Sequence, residues 1–441
     1  MPKKTIAVVG TGISGLSAAW LLSRTHDVTI YEQDKRPGGH SNTVMLDAGD
    51  RPVPVDTGFI VYNEATYPNL TALFDHLGVA TQPSEMSFAV SLADRDLEYS
   101  GSNLNSLFAQ WSNVLRPRFW SMLADLRRFY RDAPRDLALL QESASLGDYL
   151  KAGAYGPAFC EDHLLPMAAA IWSASPSLML QYPAASFIRF HDSHGLLKIR
   201  NRPQWRTVTG GSTVYVQKLM RQMNVNLGHR VTSVRRIEEK VEVQDQHGHS
   251  EVFDDVVIAT HADQALALLG QPTEDEKKLL GEFRYSRSRA VLHRDEHLMP
   301  RRRRVWASWN YISKNSEAIA HGPTVTYWMN KLQRLPIEGN IFLTLNPTAE
   351  PRHILREENY EHPIFDFKAI AAQRKLWSLQ GKDRVWFCGS YFGAGFHEDG
   401  LQAGLAVAET LGGVKRPWHV ENESGRIQID HRFATIMSRA A

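Results

Sequence analysis

The chain has 441 residues, 43% of them hydrophobic and 22% charged, and a formal net charge of +2, so it reads as an ordinary globular protein with room for two or three domains and no global reason to bind nucleic acid. Its two cysteines, Cys160 and Cys388, are too few for a disulfide framework or a thiolate metal site and read as reduced, buried thiols. No run approaches the roughly eighteen apolar residues of a membrane-spanning helix, and strand character begins at Thr5 with no room for a cleaved leader, so a cytoplasmic protein, or one lying on the inner membrane surface, is expected.

Thr5-Ile-Ala-Val-Val-Gly10 is a β-branched apolar run, expected as a buried parallel strand. It enters Gly10-Thr-Gly12-Ile-Ser-Gly15, then a helical stretch Leu16 to Leu22, then a second strand, Val28 to Tyr31, ending on Glu32. A lone glycine triplet would say little. Strand, GxGxxG turn, helix, strand and acid in that order bind a dinucleotide. Gly10 permits the tight turn, Gly12 lets the backbone approach a pyrophosphate, and Gly15 lets helix and strand pack closely. The helix N-terminus faces the phosphates and Glu32 the ribose hydroxyls.

A second glycine pair follows, Gly38-Gly39-His40, which NAD binding does not require. Val55-Asp56-Thr-Gly58-Phe-Ile-Val-Tyr62 is a further strand and turn, and Tyr67 to Gly78 an amphipathic helix on Leu70, Leu73, Phe74 and Leu77. Leu104 to Leu115 and Phe119 to Tyr130 have helical apolar spacing interrupted at Pro117, with arginines among the aromatics. Such a pair either faces a membrane or lipid channel or forms the core of a helical substrate domain. Ser145 is a plausible cap for more helix, running to Ala174. His191-Asp-Ser-His194 invites a metal, but no carboxylate-rich or cysteine-containing stretch supports it, and no metal is expected.

A basic, aromatic stretch, Lys198 to Arg206, leads through Gly210-Gly211 into a helix from Thr213 to Met223. Short strands follow at Val225–Leu227, Val231–Ile237, Val241–Gln244 and Glu251–Ile258, the last reading as a buried strand that ends at Thr260. Arg301, Arg302, Arg303 and Arg304 form either a solvated loop or a contact with anionic head groups. Val305–Tyr311, Thr324–Met329 and Ile341–Leu345 read as strands of a second sheet. The chain closes on a buried strand, the Gly-rich loop Gly389 to Gly400 and a helix from Leu401 to Leu411, whose N-terminus would stabilise negative charge on a reduced cofactor ring.

With both ends in view, the chain resembles the flavin amine oxidase superfamily, which includes monoamine oxidases, protoporphyrinogen oxidase and phytoene desaturases. More closely it is similar to a bacterial group of predicted NAD/FAD-binding proteins related to a desaturase of methyl-branched fatty acyl chains in furan fatty acid synthesis. The motifs that carry this are Gly10–Gly15, Gly38-Gly39-His40, Arg202-Pro-Gln-Trp-Arg-Thr207, Leu298-Met-Pro-Arg-Arg-Arg303, Trp306-Ala-Ser-Trp-Asn-Tyr311, Leu345-Asn-Pro347 and Phe387-Cys-Gly389 through Gly404.

The resemblance implies an α/β, two-domain flavoprotein. A discontinuous Rossmann-like FAD-binding domain would comprise residues 1–75, 205–288 and 380–441, and a substrate domain of mixed sheet and helices residues 76–204 and 289–379. Non-covalent FAD would be held by Gly10, Gly12, Ile13, Ser14, Gly15, Glu32, Gln33, Gly38, Gly39, His40, Ser41, Gly58, Phe59, Ile60, Arg230, Val231, Thr260, Gly389, Ser390, Gly400, Leu401 and Ala403. The implied reaction is removal of a hydride from a fatty acyl chain, methyl-branched or unsaturated and phospholipid-bound, with His397, Glu398, Tyr62 and Arg289 as candidates for the proton relay. Oxygen, a quinone or a protein carrier would reoxidise the cofactor.

Three departures from the wider superfamily stand out. Its Gly-Gly-Arg has become Gly-Gly-His40, Leu401 falls where amine oxidases carry a cage tyrosine, and Arg289 falls near their water-holding lysine. Two other readings stay open: a redox-neutral FAD-dependent double-bond isomerase, and a flavin-free lipid-binding module of the GDP-dissociation-inhibitor kind.

Overall fold

The structure is a computed structural model that describes residues 2–49, 51–313 and 323–429; the tail 430–441 of the expected cofactor domain lies outside them. A five-stranded sheet runs Asn224–Leu227, Asp27–Glu32, Thr5–Val9, Asp255–Ile258 and Val385–Phe387, with every neighbouring pair parallel. Its strands come from the beginning, middle and end of the chain. Ile6, Ala7, Val8, Val256, Val257 and Ile258 are buried, as in strands covered on both faces, which therefore read as unbroken apolar runs.

The helices Ile13–Leu22 and His397–Gly412 pack along one another beside this sheet, and the helix Thr213–Met220 packs against the first of them. Gly15 is what allows the first helix to lie so close, because a Cβ there would stand 2.0 Å from the carbonyl oxygen of Gly10. A three-stranded antiparallel meander, Val231–Ile237, Lys240–Asp245 and Ser250–Phe253, packs against the same sheet.

The second sheet has seven strands, in the order Ile354–Ile364, Arg284–His293, Phe342–Leu345, Thr324–Trp328, Trp309–Ser313, Phe88–Leu92 and Leu97–Ser100. All its pairings are antiparallel except that of Trp309–Ser313 with Phe88–Leu92. The strand Ile354–Ile364 escapes a reading of the sequence because its Leu-Arg-Glu-Glu-Asn run is polar. It lies at the sheet's edge and is held by cross-strand ion pairs, Arg287 to Glu361 (2.8 Å) and Arg289 to Glu357 (2.8 Å).

The helical region differs most from expectation. Leu104 to Leu115 is not one helix but a single turn, Leu104–Leu107, and a 3-10 turn, Trp111–Leu115. Pro117 does not interrupt the long helix Pro117–Asp136; it begins it, at a position where the missing N–H costs nothing. Ser145 does cap Leu146–Ala152, accepting the Asp148 N–H (3.1 Å). The helix then breaks, and its continuation includes a π-helical turn, Cys160–Leu164, before Leu165–Trp172.

The four arginines at 301–304 are largely tied down. Arg301 reaches Asp96 (2.7 Å), Arg302 reaches Glu98 (2.8 Å) and Arg303 reaches Glu296 (2.5 Å). Among the described residues no helix is long and apolar enough to cross a membrane.

Candidate active site

A cavity of about 1360 Å³ lies beyond the carboxyl ends of the parallel strands and extends under the second sheet. At one end its wall is backbone. Gly10, Gly12, Ile13 and Ser14 line it. Leu16 N–H is the first to reach a helical carbonyl, that of Gly12 (2.9 Å), so the amides of Ile13, Ser14 and Gly15 have no helical acceptor. A Cβ built on Gly12 would meet no protein atom within 4 Å, and one on Gly39 would lie 3.3 Å from the Gly12 Cα. The two glycine loops therefore touch and leave a cradle open in front of the helix N-terminus. Glu32 sits at the strand end with its carboxylate fixed by the Thr11 N–H (2.9 Å), the Thr11 hydroxyl and the Asp34 N–H (2.9 Å).

Gln33, Gly38, Gly39, His40, Gly58, Phe59, Ile60, Arg230, Val231, Thr260, Gly389, Ser390 and Gly400 line the same cavity. Four residues named from the sequence do not. Gly15 packs on its strand, and Ser41, Leu401 and Ala403 are buried behind the wall. On the helix His397–Gly412 the cavity sees His397 and Gly400, three apart on one face; Leu401 and Ala403 turn toward the core. The open cradle and a second helix N-terminus at His397 offer donors that suit the diphosphate and ring of FAD, and the fixed Glu32 carboxylate offers an acceptor for its ribose hydroxyls. Cys388, the cysteine nearest this loop, is fully buried with its thiol pushed up to about 12, and it does not line the cavity.

His40 stands where the wider superfamily has an arginine. Its ring lies 5.0 Å from Tyr360, 5.5 Å from His362 and 6.4 Å from His261. Burial, then the neighbouring imidazoles, hold its pKa well below the usual range, so it supplies no charge. The nearby cation is Arg36, whose guanidinium donates to the Gly39 carbonyl (2.8 Å).

The four proton-relay candidates separate. His397 lines the cavity, stacked on Phe59 (centroids 3.8 Å apart) with Nε2 2.7 Å from the Tyr215 hydroxyl, which also bonds Ser41. Burial brings its pKa down to about 3, so the ring is neutral. Glu398 turns away from the cavity. It accepts from the Asn69 N–H (3.0 Å), Asn69 Nδ2 (2.9 Å), the Leu70 N–H (3.0 Å) and Gln402 Nε2 (2.9 Å), and so caps the helix Pro68–Leu77. Tyr62 is buried against Tyr67 and Phe74, and Tyr67 faces the cavity in its place. Arg289 points outward to Glu350 and Glu357 (both 2.8 Å), which raise its pKa.

The far end of the cavity is made of side chains, several of which sequence reasoning did not single out. Lys331 lines it, paired with Glu85 (2.6 Å) and 5.8 Å from the Trp328 ring. Its only signal is one lysine inside the apolar Trp-Met-Asn-Lys-Leu run. His163, on the π-helical turn, is 8% exposed; such turns often mark functional sites. The Tyr99 hydroxyl lies 2.8 Å from the Asp162 carbonyl and 2.9 Å from His163 Nδ1. Its one hydrogen belongs to the carbonyl, so His163 Nδ1–H donates to the tyrosine oxygen and Nε2 keeps a lone pair with no protein partner.

His194 is set the same way, with Nδ1 donating to the Phe190 carbonyl (2.9 Å) and an unpartnered Nε2. Burial lowers these two pKa values to about 4 and about 3. His191, the other histidine of that motif, is buried in the core and does not line the cavity. One group among the described residues does have metal-ligand spacing: His229, Asp245 and His249, with their ligand atoms within 4.8 Å of one another, in the meander and outside the cavity. There Asp245 already accepts from both rings and from the His247 and His249 amides.

Comparisons with known proteins agree with this architecture. Residues 13–291 match the family of flavin containing amine oxidoreductases. Protoporphyrinogen oxidase 2, chloroplastic/mitochondrial, of Arabidopsis thaliana is 36% identical over 129 residues, 26% of this chain; the match spans only 24% of that relative's length. Among solved structures, a CLA-producing fatty acid isomerase from P. acnes aligns with TM-score 0.65 at 15% identity, covering 92% of this chain and 97% of that one. A putative protoporphyrinogen oxidase from Exiguobacterium sp. 255-15 aligns with TM-score 0.67 at 15% identity, over 93% and 99% of the two chains. Cyclohexylamine oxidase from Brevibacterium oxydans IH-35A aligns with TM-score 0.66 at 16% identity, over 93% and 100%. At such identities the structures speak for the fold alone; the family match, over more than half of the chain, speaks for descent. The chain belongs to the flavin containing amine oxidoreductase family and is an FAD-dependent oxidoreductase.

Proposed function

We propose that the protein dehydrogenates a fatty acyl chain, methyl-branched or unsaturated and carried on a phospholipid. The observation that carries this is the character of the cavity beyond the glycine loops, where hydrocarbon side chains alternate with histidines that are neutral. An ammonium substrate would lack a partner there. The carboxylates in the lining are Glu32 and Asp34 at the ribose end, Glu85, paired with Lys331, and Glu361, paired with Arg287. Cyclic and aliphatic amines are thereby disfavoured, while an alkyl chain fits without an uncompensated charge. The fatty acid isomerase among the structural neighbours supports an acyl substrate on this fold.

The glycine loops would hold FAD non-covalently, and the bound cofactor would supply the acceptor for a hydride leaving a C–H bond. The chain's own residues do the rest. Leu123, Leu126 and Met167 exclude water from the substrate. The proton lost with the hydride needs a base, and His163 and His194 each offer an Nε2 lone pair fixed by the bond at Nδ1. His397, stacked on Phe59, holds the turn at the second helix N-terminus. Oxygen, a quinone or a protein carrier would take up the electrons.

The neighbouring isomerase also favours a second reading, a redox-neutral double-bond shift in the same cavity. An anaerobic visible spectrum before and after adding phospholipid rich in methylated or cyclopropane chains separates the two. Bleaching of the oxidised flavin band supports dehydrogenation. A band that stays while the lipid changes means isomerisation. A colourless protein would end both readings and leave a lipid-binding module.

A further inference from the structure

Between Leu104 and Arg131 the molecule carries apolar side chains where a water-facing surface has polar ones. Leu104 is 72% exposed, Trp111 75%, Leu115 85% and Trp120 49%. Trp111 and Leu115 share one 3-10 turn, and Trp120 is tied to it: its indole N–H donates to the Val114 carbonyl (2.8 Å), and its ring lies 5.8 Å from that of Phe108, which follows the turn Leu104–Leu107. Single exposed apolar residues need no explanation, but a contiguous patch of tryptophan and leucine marks an interaction surface.

The charge around this patch is predominantly positive. From Leu104 to Arg131 five arginines (116, 118, 127, 128 and 131) stand against one acid, Asp125, and Lys198 to Arg206 adds four cations and no acid. The turn Leu104–Leu107 packs on Arg303–Val305, which brings Arg303 and Arg304 to the same rim. Some of these cations are satisfied internally: Arg116 and Arg301 share Asp96, and Arg118 holds Glu161 and Asp162. Arg127, Arg200 and Arg304 are exposed and, among the described residues, pair with no carboxylate.

The same face surrounds an opening of the cavity. Gly101, Ser102 and Asn103, just before the patch, and Ile199 and Arg202 across from it are exposed and line the cavity, while Leu107, Leu123 and Leu126 carry its apolar wall inward. Tyr130 on the long helix feels the charge of Arg202, so the two sides of the opening are close.

We propose that this face docks on an anionic lipid bilayer. Leu104, Trp111, Leu115 and Trp120 sit at the boundary of head groups and acyl chains, the free arginines meet lipid phosphates, and the cavity opens onto the membrane. The membrane contact runs through the 104–120 patch first and through the 301–304 run only at its free end. This rests on and deepens the acyl-chain reading, yet it is measured without turnover, so either can fail alone.

The test is flotation of the purified holoprotein with vesicles of phosphatidylcholine, alone or mixed with phosphatidylglycerol. The wild type is expected to float with the mixed vesicles, and less so as salt is raised. Trp111→Ser with Leu115→Ser is expected to weaken that binding by about tenfold through lost apolar insertion. Both side chains lie in solvent, so the variant should keep the wild-type flavin spectrum and thermal midpoint. Brominated acyl chains should quench tryptophan emission in the wild type and less in the variant. Equal binding by variant and wild type, or no binding to anionic vesicles at low salt, overturns the proposal. So does a lipid-free dimer, seen by light scattering, that the double substitution dissolves, because the patch would then be an interface between two copies.

Discussion

The two ends of the cavity are built from different materials. The cofactor end is backbone: Gly10, Gly12, Gly38, Gly39, Gly389 and Gly400 line it, with helix amides and one fixed carboxylate. The far end is side chain: Leu107, Leu123, His163, His194, Tyr327 and Lys331 converge on it from segments more than two hundred residues apart. A backbone cradle demands particular residues at particular offsets, because only those let the chain approach a phosphate. A side-chain wall demands only apolar volume and a few satisfied polar groups, and many sequences supply that. The two ends should therefore fail in different ways.

The largest effect should come from acid, through buried imidazoles, two of which, His163 and His194, line the far end. His163, His191, His194 and His293 are all buried, and burial holds their pKa values at about 4, about 4, about 3 and about 4. In the unfolded chain such rings titrate near 6.5. Between those values the unfolded chain binds protons that the folded one refuses, so the stability is present above pH 6.5 and is lost as pH falls toward 4. Four rings give an upper bound of roughly 5 kcal/mol per pH unit. Urea midpoints measured from pH 7.5 down to 5 should fall steeply, and His163→Leu should flatten the slope. A flat profile would mean that the rings are solvated, those lining the far end included.

Glu398 tests whether a conspicuous acid at the cofactor loop belongs to either end. Its carboxylate takes four hydrogen bonds and ties two helices together. Glu398→Ala should cost about 4 kcal/mol by stranding buried donors, read as a lower thermal midpoint. The flavin reduction rate of the folded fraction should stay at the wild-type value. Lost reduction with an unchanged midpoint would return Glu398 to the chemistry.

Gly12→Val breaks the cofactor end alone. A side chain there has room, since a Cβ meets no protein atom within 4 Å, but the room is the cradle itself. FAD affinity should fall by at least about 100-fold, close to 3 kcal/mol, while the circular dichroism of the apoprotein keeps its wild-type shape. An equally yellow Gly12→Val protein would move the diphosphate elsewhere.

The difference between the two ends also explains how much could be read from the sequence. Of the positions pointed to within Gly10–Gly15, Gly38–His40 and Gly389–Gly400, all lie in the cavity wall except Gly15, which serves the packing, and Glu398, which caps a neighbouring helix. Leu401 and Ala403 lie behind the wall because the helix begins at His397, four residues before the start expected from the sequence, which sets a different helical phase. At the far end, His163 carries no motif; it matters because a π-helical turn and Tyr99, sixty-four residues away, fix its tautomer. The strand Ile354–Ile364 was invisible because an edge strand stabilised by ion pairs has no apolar alternation to detect.

Arg289 carries the smallest prediction and the sharpest lesson about register. Successive side chains of a strand point to opposite faces, so one residue decides whether a cation enters the cavity or leaves it. In Arg284–His293, Ser288 and Ala290 point inward and are buried, and Arg289 between them points out, into the carboxylates of Glu350 and Glu357. The cation at the far end of the cavity, beneath the second sheet, is Lys331, which follows the end of another strand. Arg289→Ala removes an exposed pair network and should cost less than about 1 kcal/mol, with the flavin spectrum and its reduction unchanged. Lys331→Met should alter reduction with little change in stability. If the two phenotypes were exchanged, the strand would be one residue out of the register drawn for it.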